Sequence, residues 1–128
     1  MNTRSKIALG SFLATISLLT IANEPEFQSV EEVYEYLRSA DGVSIRTEQG
    51  WTIAEQNEDM ALWSFTTEGH PAHPAVFMRQ VVIDKEQISL RTWGICEAEK
   101  EACDMLSAEF EKLNQNIREQ MGISDASQ

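Results

Sequence analysis

Both histidines of the chain lie in one proline-rich segment, and histidine serves equally in acid–base chemistry and in metal binding. The segment reads His70-Pro71-Ala72-His73-Pro74. Proline favours polyproline II, whose three-residue period would place both imidazoles on one side. The pair is therefore a candidate for two zinc or copper ligands, for a single base, or for a partner-binding surface. A zinc site needs further ligands, which the sequence does not identify, so the simplest expectation is a stiff connection between strands.

Three other side chains are candidates for a partner-binding surface. Arg79 and Arg91 lie in the middle of predicted strands of an acidic chain. They either face solvent or, if neighbouring strands align them, bind a carboxylate through paired hydrogen bonds. Trp63, like Trp51 and Trp93, occupies a strand position, where aromatic residues usually belong to the core. On an uncovered face of the sheet, Trp63 would instead anchor a partner.

Signatures of covalent catalysis and of phosphate binding are absent from the sequence. Neither a G-x-S-x-G nor an S-x-x-K pattern occurs, and no glycine-rich phosphate loop follows a predicted strand. Glu97 and Glu101 have the i,i+4 spacing of one helix face, which solvated helices also show. We therefore predict no catalytic residue, no cofactor and a protein that is not an enzyme.

Cys96 and Cys103 are the two cysteines, and their spacing fits neither a C-x-x-C pair nor a four-ligand zinc site. Within one continuous helix, their Cα atoms would be about 10 Å apart. A disulfide tolerates at most about 7 Å. Because oxidising compartments favour disulfides, we predict a structural bridge in which Cys96 precedes the final helix and Cys103 lies within it.

The elements that must position these residues follow from hydrophobic periodicity. Ser29 and Glu32 have the spacing of a capping box, and they predict a helix from about Val30 to Ala40. Alternating apolar residues then predict three to five strands between residues 43 and 93. Their short connections indicate that successive strands are antiparallel.

The last element has the clearest helical pattern. Its apolar stripe consists of Cys103, Leu106, Phe110, Leu113, Ile117 and Met121. Gly122 ends the helix, and residues 123–128 are expected to fray. The predicted fold is α+β, with an N-terminal helix, an antiparallel meander and a long C-terminal helix packed on one face of the sheet. The helices are expected to cover only one face, which leaves the other open to a partner or to the loop at residues 66–74.

The first 22 residues have the three parts of an export signal. Arg4 and Lys6 supply positive charge, residues 7–22 are uncharged and mostly apolar, and small residues precede a cleavage site before Asn23. A run of sixteen residues is shorter than the roughly 20 that a membrane-spanning helix needs. We therefore predict a cleaved signal peptide, a single domain over residues 23–128, and release into the periplasm or the medium without a membrane anchor.

Charge narrows the classes of partner. The formal charge is −11, and it becomes −13 when Arg4 and Lys6 are removed with the signal. Such a surface repels phosphate backbones and anionic lipids, so it disfavours nucleic acid and membrane surfaces and favours a cationic protein partner. The oligomeric state stays open.

The leading hypothesis is an exported, acidic, non-enzymatic binding module of a bacterial periplasm. Its architecture resembles, in a general way only, that of small exported inhibitor and immunity proteins. The alternative is a periplasmic metal-binding protein that uses His70 and His73. A small histidine-dependent enzyme is the third hypothesis.

Overall fold

The computed structural model describes residues 26–125, so the predicted signal peptide lies outside the described residues. The elements are α1 Val30–Ser39, β1 Val43–Glu48, β2 Trp51–Gln56, β3 Ala61–Thr66, β4 Ala75–Asp84, β5 Gln87–Cys96, α2 Lys100–Met121 and β6 Ser124–Asp125. This order confirms the α+β class, the antiparallel meander and the long C-terminal helix. Neither helix of the described part is long and apolar enough to cross a membrane.

Helix α1 begins where the sequence predicts because Ser29 caps it. The Ser29 Oγ accepts a hydrogen bond from the Glu32 backbone N–H at 3.1 Å. The Glu32 carboxylate accepts from the backbone N–H of Gln28 at 2.6 Å rather than from Ser29. The helix ends at Ser39, one residue before the predicted end.

The five long strands follow one another through the sheet in chain order, each antiparallel to the next. Trp63 lies opposite Met78, and Met78 lies opposite Trp93. Because successive side chains of a strand alternate between faces, these three share one face, which we call the α1 face. Phe77 lies on the other, which we call the α2 face.

The two helices cover opposite faces of the sheet. Leu37 of α1 packs on the α1 face in one cluster with Trp63. Leu106 and Phe110 of α2 pack on the α2 face, where the ring of Phe110 stacks on that of Phe77 with centroids 4.4 Å apart. The expectation that one face would stay open is therefore wrong, since each helix buries its apolar stripe against its own side of the sheet.

The chain after α2 is more ordered than the sequence suggested. Gly122 ends the helix in the left-handed conformation, as predicted. The backbone of Ser124–Asp125 then pairs in parallel with β5 at Ser89 and Leu90. The predicted fraying is therefore wrong for this segment, and residues 126–128 lie outside the described part.

The predicted disulfide is confirmed. Cys96 is the last residue of β5, Cys103 lies in the first turn of α2, and their Cα atoms are 5.7 Å apart. The bridge fixes the start of α2 to the end of β5.

Candidate functional site

The histidine-containing loop between β3 and β4 is held by its own hydrogen bonds. The backbone N–H of His73 donates to the carbonyl of His70 at 3.0 Å, and that of His70 donates to the carbonyl of Thr67 at 3.2 Å. The Ala72 N–H donates to His70 Nδ1 at 3.0 Å. His73 Nδ1 lies 3.0 Å from Thr66 Oγ1 and 3.1 Å from the Thr66 carbonyl oxygen. One nitrogen of each imidazole is therefore engaged within this segment.

The two histidines are placed differently. The His70 ring lies against Trp51, with centroids 5.3 Å apart, whereas the His73 side chain is exposed. Within residues 26–125, no group of three or more His, Cys, Asp and Glu residues is arranged to hold a metal ion. The described residues thus add no further ligands to the histidine pair.

The two arginines are not brought together. The register of β4 and β5 pairs Arg79 with Thr92, and Arg91 with Gln80. Arg79 therefore lies on the α2 face and Arg91 on the α1 face, so a single carboxylate cannot bridge them across adjacent strands.

Trp63 belongs to the core. Its side chain is 7% exposed and packs against Phe27 and Trp93, with ring centroids 6.2 and 5.8 Å away. Its indole N–H donates to Gln56 Oε1 at 2.7 Å, which satisfies the one polar atom of the ring.

A groove of about 400 Å³ runs between the histidine loop and the N-terminal half of α2. We call it the α2 groove. Its lining consists of His70, Pro71, Ala72, Glu99, Glu101, Ala102, Met105, Leu106 and Glu109. The floor of the groove is apolar and consists of Ala72 and Leu106, which are buried, with 1% and 2% of their surface exposed.

The rim of the α2 groove is acidic, and the described part of the chain supplies no counter-ion to it. Glu99, Glu101 and Glu109 are exposed, and none of them takes part in an ion pair with another described residue. Met105, which is 64% exposed, adds apolar surface between Glu101 and Glu109. The rim therefore alternates acidic, apolar and acidic side chains along one edge of the helix.

Three covalent and hydrogen-bonded links fix the walls of the groove. The Cys96–Cys103 disulfide holds the first turn of α2. The Glu97 N–H donates to the Pro74 carbonyl at 2.9 Å, joining the segment before α2 to the end of the histidine loop. The Glu97 carboxylate accepts from the Val30 N–H at 2.7 Å, which ties the same corner to α1. A partner would thus meet a preorganised surface, which lowers the ordering cost of binding.

Sequence reasoning missed the groove, although one signal for it was present. Glu101, Met105 and Glu109 are spaced four residues apart, so they form one edge of the helix. Only the fold brings that edge beside the histidine loop.

Comparisons with known proteins do not supply a family. No protein-family model matches the chain, and no curated protein or solved structure is significantly similar to it.

Proposed function

We propose that this protein is a non-enzymatic binding module that acts outside the cytoplasm and holds a basic protein partner at the α2 groove. The observation that carries the proposal is the alternation of exposed Met105 with carboxylates that form no ion pair with another described residue, above an apolar floor. The cationic hydrolases and toxins are the partner classes that fit, and the protein would act on them as an inhibitor or immunity protein.

The spacing of the rim defines the chemistry of the partner. Glu101 and Glu109 are eight residues apart on α2, or about 12 Å along the helix axis. A matching partner presents two Lys or Arg side chains at that distance, with an apolar residue between them that contacts Met105. The aliphatic stems of Lys and Arg also bury well on an apolar floor while their charged ends stay at the rim.

The energetic roles of charge and apolar contact differ. Exposed ion pairs contribute only about 0.2–1 kcal/mol each, so the apolar contact supplies most of the lifetime of the complex. The formal charge of the chain, −11 before and −13 after removal of Arg4 and Lys6, accelerates the encounter with a cationic surface.

The metal-binding and histidine-dependent hypotheses lack a comparable observation. His70 and His73 engage their Nδ1 atoms inside the loop segment, and the described residues add no third ligand. We therefore retain only the binding module.

The test uses a fluorescent peptide probe that carries two arginines about 12 Å apart with a leucine between them. Its binding is compared for the wild type and for a variant with Glu99→Gln, Glu101→Gln and Glu109→Gln. We expect this variant to bind about three- to thirtyfold more weakly, since two exposed ion pairs of up to about 1 kcal/mol each and their local potential are lost, and each tenfold is about 1.4 kcal/mol.

The matched control removes the same amount of charge elsewhere. Glu31→Gln, Glu58→Gln and Glu119→Gln change three exposed acids that do not line the α2 groove. This triple variant is expected to lose less than about threefold, through long-range field alone. Equal losses in both triple variants would show that only net charge matters, and would refute the groove as the binding site. In cells, a photo-crosslinking residue at position 105 then identifies the natural partner.

A further inference from the structure

Arg79 is a half-buried cation to which the described residues supply no counter-ion. It lies on the α2 face of β4, beneath helix α2, and its Nε atom is buried without a hydrogen-bond partner. Among residues 26–125, no carboxylate lies within ion-pair distance of it. Burial lowers the pKa of the guanidinium, which nevertheless stays charged at neutral pH. Buried charges in proteins are normally paired.

A cavity of about 240 Å³ between α2 and strands β4 and β5 borders Arg79. We call it the Arg79 cavity. Asn114, 5% exposed, also lines it, and the Asn114 Oδ1 is buried without a hydrogen-bond partner. Two residues that line one cavity, a cationic one and an amide, thus each have a buried polar atom without a partner among the described residues. Buried polar atoms are rarely left in this state without a ligand or water.

The rest of the lining supplies an apolar wall and an acidic entrance. Phe110 stacks on Phe77 at the apolar side. The Phe77 ring lies so close to Gly94 that an added Cβ would be 2.7 Å from the ring. Glu111, whose side chain is 66% exposed, lines the opening, and its Oε1 is 3.5 Å from Arg118 Nη1.

We propose that the Arg79 cavity binds a small α-amino acid. The carboxylate of the ligand pairs with the Arg79 guanidinium, which suits carboxylates geometrically. The ammonium group donates to Asn114 Oδ1 and is attracted by Glu111. A zwitterion is favoured over a simple anion, because its net charge of zero avoids repulsion by the acidic chain. The cavity is below the roughly 300–1,000 Å³ of drug-sized sites, which limits the ligand to a small molecule.

This site is distinct from the α2 groove. Glu101, Met105 and Glu109 form one edge of α2, whereas Glu111 and Asn114 line the Arg79 cavity. A negative result for one proposal would therefore not contradict the other.

The first experiment is a thermal-shift screen of the purified protein with each of the twenty standard amino acids at about 10 mM. A ligand with a Kd of about 1 mM or below should raise Tm by at least about 5 °C. No rise with any of the twenty would overturn the proposal.

The second experiment compares the tightest ligand with three analogues: its carboxamide, its deamino form and its N-acetyl form. The carboxamide loses the charge that Arg79 binds, and the deamino form loses the donor for Asn114. Each should bind at least about tenfold more weakly, because each gives up a charge-assisted hydrogen bond. Tighter binding of the N-acetyl form would overturn the free amino acid in favour of a peptide chain end.

Variants of the protein then test whether the ligand binds in the Arg79 cavity. Arg79→Met and Asn114→Leu should each abolish the ligand-induced rise in Tm, while Arg38→Met, which changes an exposed arginine on α1, should retain it. An undiminished rise in Arg79→Met would overturn the proposal. If Arg79→Met does not fold, Asn114→Leu and the analogue series on the wild type still decide the question.

Discussion

Replacement of Arg79 by methionine is expected to stabilise the protein, although most substitutions destabilise. The wild type holds the Arg79 Nε in the interior without a hydrogen bond, and such a buried donor costs about 1–3 kcal/mol. Methionine keeps an unbranched stem of similar reach and removes the desolvated group. We therefore expect the free energy of unfolding to rise by about 1–2 kcal/mol, and Tm to rise by about 4–8 °C per kcal/mol for a domain of this size.

The assay is urea unfolding followed by tryptophan fluorescence, since Trp63 and Trp93 lie in or against the core. The midpoint should increase while the denaturant slope stays constant, which indicates a change in stability rather than in compactness. Arg38→Met is the control, because Arg38 is 63% exposed and pairs with Glu35 at 3.2 Å; its effect should stay within about 0.5 kcal/mol.

A loss of about 1 kcal/mol or more in Arg79→Met would refute the reasoning. It would mean that the guanidinium already has a stabilising partner in the unliganded protein. The pH dependence gives a second check: arginine stays protonated at ordinary pH, so the stability difference between wild type and variant should stay constant between about pH 3 and pH 8, a range that includes the titration of ordinary carboxylates. A difference that shrinks as carboxylates become protonated would reveal a carboxylate partner.

Three further outcomes follow from the structure. Replacing Cys96 and Cys103 by serine should lower the free energy of unfolding by about 2–3 kcal/mol, measured by urea unfolding, since the bridge constrains a short loop of the unfolded chain. Gly94→Ala should destabilise by about 1–3 kcal/mol in the same assay, because the new Cβ would lie 2.7 Å from the Phe77 ring; an unchanged midpoint would contradict this packing. Raising salt from about 0.01 to 0.15 M should weaken binding of the basic peptide at the exposed rim, and should change binding of an amino acid in the Arg79 cavity much less, because the zwitterion has no net charge.

Features set by neighbouring residues were predictable from the sequence. The cap of α1 needs only Ser29 and the residues within one turn of it, and the structure keeps that hydrogen bond. The disulfide followed from a distance limit applied to Cys96 and Cys103, and the bridge has the predicted position.

The faces covered by the helices were not predicted correctly. An apolar stripe shows that a helix must bury one side, but it does not show which face of the sheet receives it. The sequences of the strands did contain evidence on this point. Leu62 and Trp63 are consecutive apolar residues in β3, and Phe77 and Met78 are consecutive apolar residues in β4. Strands covered on both faces have such continuous apolar runs, and this signal opposed the expected open face.

The separation of the two arginines follows from the turn between β4 and β5. Asp84 to Gln87 forms a two-residue hairpin, in which Lys85 and Glu86 have positive φ angles of 46° and 71°, as type I′ turns require. A two-residue loop that pairs Asp84 with Gln87 also pairs position 79 with position 92, so the second arginine must lie on the opposite face. The lack of a counter-ion to Arg79 among the described residues, by contrast, is visible only in the three-dimensional structure.

Helix α2 lies between two electrostatic environments, an exposed acidic edge and a half-buried cation beneath the helix. The net charge of the chain does not distinguish them. Glu101 and Glu109 are exposed on one edge, where solvent screens their repulsion, so the fold tolerates them at little cost. Arg79 lies beneath the helix, where desolvation makes an unpaired charge expensive. The chain has 21 Asp and Glu residues and a formal charge of −11, yet none of the described carboxylates lies within ion-pair distance of that guanidinium. A cation that has no partner among residues 26–125 of so acidic a chain is better explained by a bound ligand, as proposed for the Arg79 cavity, than by a contribution to folding.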